Sequence, residues 1–171
     1  ICSLAQGANA QPRESVKTST DILMFAAPAA GFISTLALKD YKGTRALISS
    51  GATSIAATYI LKYAIKKERP DHSDTHSFPS NHTAISFQGA SFIAKRYGWK
   101  YSIPAYLISG YVGWGRIYSK RHDTWDVIAG AAIGMGSALI CTRPLSNKAK
   151  LNIAPTVMAN GSIGFYSSIN F

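Results

Sequence analysis

Apolar residues gather in five uncharged stretches, at 22–38, 46–61, 83–94, 102–115 and 127–142, separated by charged and turn-forming residues. Runs of this length predict helices rather than strands. The first helix is expected from about Thr20 to Leu38, with Pro28 kinking it or breaking it in two, because proline lacks an amide N–H and crowds the preceding turn. A second runs from near Thr44 to about Lys67 and ends before Arg69-Pro70. The segment "PDHSDTHSFPS", 70–80, is dense in turn residues and reads as a loop. A third helix follows over roughly 81–96. The fourth, about Tyr101 to Ile117, carries Pro104 in its first turn, where proline is tolerated. After "YSKRH" a fifth covers about 124–141, and Pro144 prevents its continuation. The tail changes character: "LNIAPTVM" and "IGFYSSINF" have β-type composition and flank "ANGS", a hairpin turn signal. The fold class read here is all-α, a compact bundle of about five core helices with a C-terminal β-hairpin.

A chain of 171 residues suits one domain with a real core. The organisation expected is a signal-peptide remnant at 1–10, an N-terminal arm at 11–19, a helical domain at 20–145 and the tail at 146–171. "ICSLAQGANA" carries the small-x-small pattern Ala8-Asn9-Ala10 of a secretory cleavage site, which points to export to the periplasm or cell envelope. A flexible arm is the alternative. The longest uncharged stretch has 17 residues, at the lower edge of what spans a bilayer. With a mean hydropathy of only +0.05, a bundle that is soluble or rests on a membrane is favoured over an integral one. Cys2 and Cys141 define no metal-ligand spacing.

Charge narrows the partners. Lys and Arg number 18 against 8 Asp and Glu, a formal net charge of +10. Such an excess suits a phosphorylated substrate or an anionic membrane surface. No zinc-finger or RNA-binding aromatic motif is present, so nucleic acid is not expected.

Three clusters carry candidate chemistry. In "LKYAIKKERP", Lys62 and Arg69 are seven residues apart, two helical turns, and can converge on one small anion. In "SFPSNHTAISF", Ser80 is a good N-cap, and its hydroxyl with the N–H groups of Asn81 and His82 forms an anion-binding rim. In "GRIYSKRHDTWDVIAG", Asp123 caps the fifth helix and Asp126 stands in capping-box position. His122 and Asp126 are four apart, so the carboxylate can bind one ring nitrogen and leave the other free to attack. Arg116 adds a third cation. Each cluster alone is weak and is more plainly read as a charged helix end or a cap. His72 and His76 with Asp71 and Asp74 can be drawn as a metal site, although a Ser- and Pro-rich loop at a substrate mouth is the plainer reading.

In order, the clusters make Lys-x6-Arg-Pro, Pro-Ser-Asn-His and Arg-x5-His-x3-Asp. This resembles the three-part signature of the type 2 phosphatidic acid phosphatase family, which shares its fold with bacterial class A acid phosphatases and vanadium haloperoxidases. The resemblance spans Lys62 to Asp126. The family usually has Gly at the position of Asn81 and Ser at that of Gly115. Carried over by position, the resemblance implies that His122 is the nucleophile, that Asp126 orients it and that His82 is the general acid and then the base. Lys62, Arg69, Ser80, Asn81 and Arg116 would hold the phosphate, with no metal or other cofactor. The function implied is hydrolysis of a phosphomonoester or diphosphate, favouring an envelope lipid, through a phosphohistidine. A broad-specificity soluble acid phosphatase, a vanadium haloperoxidase and a non-enzymatic anionic-lipid-binding protein are the other readings. Oligomeric state is not legible.

Overall fold

The structure, a computed structural model, describes residues 2–145, 150–157 and 163–170, with side chains from 13 to 145. Six helices are described: α1 (Cys2–Leu23), α2 (Ala26–Ala37), α3 (Tyr41–Ile65), α4 (Asn81–Tyr97), α5 (Trp99–Tyr118) and α6 (Thr124–Cys141). Two strands follow, β1 (Lys150–Val157) and β2 (Ile163–Asn170), paired antiparallel with Lys150 opposite Asn170 and Val157 opposite Ile163. The turn predicted at Asn160-Gly161 lies outside the described residues.

Pro28 divides the first predicted helix in two. The chain leaves the helix at Met24 and Phe25, and Pro28 falls in the first turn of α2, where N–H groups have no intrahelical partner. α1 starts at Cys2, well ahead of the predicted Thr20, and its residues 16–20 dock on α5. There Thr20 is fully buried and Ser19 Oγ meets the Tyr111 hydroxyl at 2.9 Å. The other helices fall within a few residues of expectation. Asp40 caps α3 by accepting from Gly43 N–H at 2.9 Å, and Asp123 and Asp126 form the capping box of α6.

α4 lies at the centre, packed on α6, α5, α2 and α3. Small residues let it come close. A Cβ on Gly134 would lie 2.2 Å from the Ala84 carbonyl oxygen, and one on Gly130 would lie 2.4 Å from that of Ser80. The apolar core gathers Ala27, Leu47, Ala90, Phe92, Ile93, Ala105 and Ala138. Polar side chains share the interior. Gln88 Nε2 donates to Ser50 Oγ at 2.6 Å, and Ser86 Oγ donates to Ser109 Oγ at 2.8 Å, so their burial is compensated. At one end Arg96 pairs with Asp40, both buried, and donates to the Arg143 carbonyl at 2.9 Å. The opposite end, where α3 and α5 finish and α4 and α6 begin, holds the three basic and histidine-bearing clusters.

Candidate active site

Lys62, Arg69, Asn81, His82, Arg116 and His122 line one cavity of about 400 Å³. These six residues come from three separate stretches of the chain. Lys62 sits in the last turn of α3, buried, with its ammonium donating to the His76 carbonyl at 2.7 Å. Arg69 arrives differently from the two-turn helical geometry expected. α3 stops at Ile65, Lys66 turns left-handed at φ 46°, and Arg69 is in the following loop. Pro70 accounts for part of this, since the residue before a proline avoids helical angles. Arg69 meets Asp74 at 3.3 Å.

Arg116 is in the last turn of α5 and only 3% exposed. Among the described residues, the buried Nε atoms of Arg69 and Arg116 have no acceptor. Buried donors without partners are costly, and two of them beside one cavity suit an anion.

His122 is 5% exposed and follows the left-handed Lys120 at φ 56°. Its Nδ1 lies 3.5 Å from Asp126 Oδ2, which leaves Nε2 as the nitrogen available to a ligand. Asp126 is fully buried behind it, off the cavity wall. Its carboxylate accepts from Ser77 Oγ, from Lys67 Nζ at 2.8 Å and from Asp123 N–H at 3.1 Å. Burial, aided by Lys62 and Arg69, outweighs Asp126 and holds the His122 pKa below that of an ordinary imidazole. The ring is therefore neutral near pH 7.

At the first turn of α4, Asn81 Oδ1 accepts from Thr58 Oγ1 at 2.5 Å. The asparagine is thereby tied to α3 while its residue lines the cavity. His82 Nε2 lies 3.0 Å from Asp21 Oδ1. Ser80 does not reach the cavity wall as the rim reading requires. It is the fully buried N-cap of α4, but its hydroxyl accepts from Thr83 Oγ1 at 3.0 Å and caps no backbone N–H. Its own N–H donates to the Asp126 carbonyl at 2.9 Å, tying the starts of α4 and α6 together.

The loop histidines do not converge. His72 Nδ1 meets Glu68 at 2.7 Å and His76 Nδ1 meets Asp74 at 3.0 Å. Among the described residues no three His, Cys, Asp or Glu side chains are grouped to hold a metal. Asp71 anchors the loop to Arg121. Burial opposes its ionisation, but the Ser73 hydroxyl and N–H together with Arg121 prevail and hold its pKa at about 2.

Several residues of the site escaped the sequence reading. Lys67 lies inside the first cluster, yet nothing marked it as the partner of Asp123 and Asp126. Ser77, Tyr59, Tyr63 and Asp21 carried no motif. Asp21 alone had a signal, as an acid at the edge of a long uncharged stretch.

A sequence model described as the PAP2 superfamily matches residues 43–150. The chain is 28% identical over 133 residues to the lipid A 4'-phosphatase of Helicobacter pylori, covering 71% of this chain and 67% of that protein. It is 38% identical over 77 residues to the lipid A 1-phosphatase of Porphyromonas gingivalis, covering 43% of this chain but only 17% of that protein. A crystal structure of Aquifex aeolicus LpxE aligns with a TM-score of 0.56 at 22% identity over 71% of this chain and 84% of that one, a likeness of fold.

Proposed function

Because the chain belongs to the PAP2 superfamily, we propose that it is a phosphatase that hydrolyses the phosphate ester or diphosphate of an envelope lipid. The observation that carries this reading is the single cavity shared by His82, His122 and three cations, with Asp126 behind the second imidazole. The names of the two curated relatives favour a lipid phosphate as substrate.

His122 Nε2 attacks phosphorus in line. The bond from phosphorus to the ester oxygen breaks, and that oxygen takes a proton from His82. The product is a phosphohistidine. Water, giving its proton to His82, then attacks phosphorus, the P–N bond breaks and inorganic phosphate leaves. Asp126 orients the ring and stabilises the charge it gains. Lys62, Arg69, Arg116 and the N–H of Asn81 hold the non-bridging oxygens as charge spreads over them. Ser80 contributes by joining α4 to α6.

The same reading places the bundle in a bilayer. Small and hydroxylated residues face inward, with Ser50, Ser54, Thr58, Ser86 and Ser109 buried, while large aliphatic side chains face out. Ile60 is 69% exposed, Leu107 71% and Ile140 83%. That arrangement reverses a soluble protein's and lowers the mean hydropathy without lowering the affinity of the outer surface for lipid. Exposed aromatics stand at both ends: Tyr41, Trp99 and Tyr101 at one, Trp114, Tyr118 and Trp125 at the other. By length and composition, the stretch Arg13–Ala37, which turns at Met24 and Phe25, and the helix Thr124–Cys141 suffice to cross. This departs from the preference for a soluble or surface-resting bundle.

The test compares phosphate release from a lipid phosphate and from a water-soluble ester, using protein purified from washed membranes. Lipid turnover at least about tenfold above the soluble ester is expected, with the protein retained in the membrane after an alkaline wash. Equal turnover, or release of the protein by the wash, contradicts the lipid-embedded reading. No phosphate release from either ester contradicts the phosphatase reading.

A further inference from the structure

α1 precedes residues 43–150, the stretch matched by the superfamily. It nevertheless delivers a carboxylate to the site. Asp21 Oδ1 pairs with Arg116 Nη2, and the same oxygen lies 3.0 Å from His82 Nε2. Gly115 makes this approach possible. A Cβ there would lie 2.5 Å from Thr20 Cγ2 and 3.1 Å from Val16 Cγ1. Any larger residue at this position would have to displace the Thr20 and Val16 side chains.

A carboxylate oxygen held by a guanidinium and an imidazole has the charge and acceptor chemistry of a phosphoryl oxygen. Both cannot occupy the same donors, and two anions side by side repel. Asp21 is two residues from the end of α1, and its side chain is 45% exposed, so it has room to swing outward. Lys62 makes no ion pair with Asp21, and Arg69 pairs with Asp74 instead. The buried, unpartnered Nε of Arg69 beside the cavity still offers an incoming anion a first contact.

We propose that Asp21 is an internal competitor for the phosphoryl group, occupying Arg116 and His82 before substrate binds and exchanging places with two phosphoryl contacts when it does. This rests on the phosphate-site reading given above. The exchange weakens the hold on free inorganic phosphate, which lacks the apolar contacts of a lipid ester, and so favours product release. A competitor that fills the donors nine-tenths of the time lowers the apparent affinity about tenfold.

The test measures calorimetric binding of inorganic phosphate to the full chain in detergent for wild type, Asp21→Asn and Glu68→Gln. Glu68 is an exposed loop acid paired with His72 and off the cavity wall. Asp21→Asn is expected to bind phosphate about tenfold more tightly, and Glu68→Gln to match wild type. Binding by Asp21→Asn that is unchanged or weaker overturns the proposal. So does equal tightening in both variants, which would reduce the effect to net charge. Should Asp21→Asn not fold, Asp21→Ser is expected to tighten binding and Asp21→Glu to leave it near wild type; the reverse order overturns the proposal. Because the readout is binding, a wild-type protein that hydrolyses no ester would remove the phosphatase reading while the order of affinities still decided this one.

Discussion

His122 Nδ1 lies 3.5 Å from Asp126 Oδ2, and the same carboxylate oxygen accepts from the Ser77 hydroxyl and the Asp123 N–H. Residue 126 therefore orients a ring, completes the capping box of α6 and receives Lys67. Asp126→Asn preserves the shape but removes the charge that, in the proposed mechanism, steadies a phosphorylated imidazole. Steady-state assays are expected to show kcat lower by about a hundredfold or more, with KM little changed. A variant with near wild-type kcat would show that the carboxylate does not act through His122.

As the proposed nucleophile His122 must be uncharged, and burial with Lys62 and Arg69 pushes its pKa below the ordinary imidazole value. Activity should therefore persist as pH falls through about 6.5 and disappear only at the lowered pKa, where the ring takes up a proton. Arg69→Gln removes one of the opposing cations, so its acid limb is expected to move upward, toward the ordinary value. Profiles of kcat/KM against pH check this. A downward or absent shift contradicts the assigned electrostatics.

His82 is assigned to proton transfer, which a good leaving group does not need. His82→Ala is expected to lose about a hundredfold or more on an alkyl phosphate but much less in the first step on an aryl phosphate of low leaving-group pKa. A burst measured by rapid quench separates the two steps. Equal losses on both esters would remove the general-acid assignment.

Close backbone contact between α4 and α6 depends on Gly134, where a Cβ would meet Ala84 O at 2.2 Å and Gln88 N at 2.9 Å. Gly134→Ala is expected to destabilise the fold by about 1–3 kcal/mol. A Cβ at Gly136 meets nothing within 4 Å, so Gly136→Ala should be neutral or slightly stabilising. Thermal unfolding in detergent compares the pair.

At the far end, Arg96→Met would leave the Asp40 carboxylate buried without its guanidinium partner. Losing one member of a buried pair costs about 3–5 kcal/mol. A fall in stability of that size, measured by denaturation, is expected for a change that touches nothing in the cavity.

Much of the cavity wall was legible because its residues sit in short, spaced motifs. Lys62, Arg69, His82, Arg116 and His122 could be named before any coordinates, as could the break near Pro28 and the cap at Asp123. Asp21 could not be placed, since its position depends on how closely α1 approaches Gly115, a packing fact with no local pattern. Ser77 and Lys67 were hidden because a serine in a turn and a lysine in a basic run have many uses. The apolar outer surface was obscured for a related reason. Inward-facing Ser, Thr and Gln make these helices read as moderately polar, although their outer faces carry Ile, Leu and Trp.

The most direct test is to quench the enzyme during turnover of a radiolabelled phosphate ester and locate the trapped phosphate. A base-stable, acid-labile label on His122 is expected in wild type. In His122→Ala the label should vanish, and hydrolysis should fall by about a thousandfold or more. Wild-type hydrolysis by His122→Ala, or a label carried by another residue, would contradict the assignment of this cavity as a histidine-dependent phosphatase site.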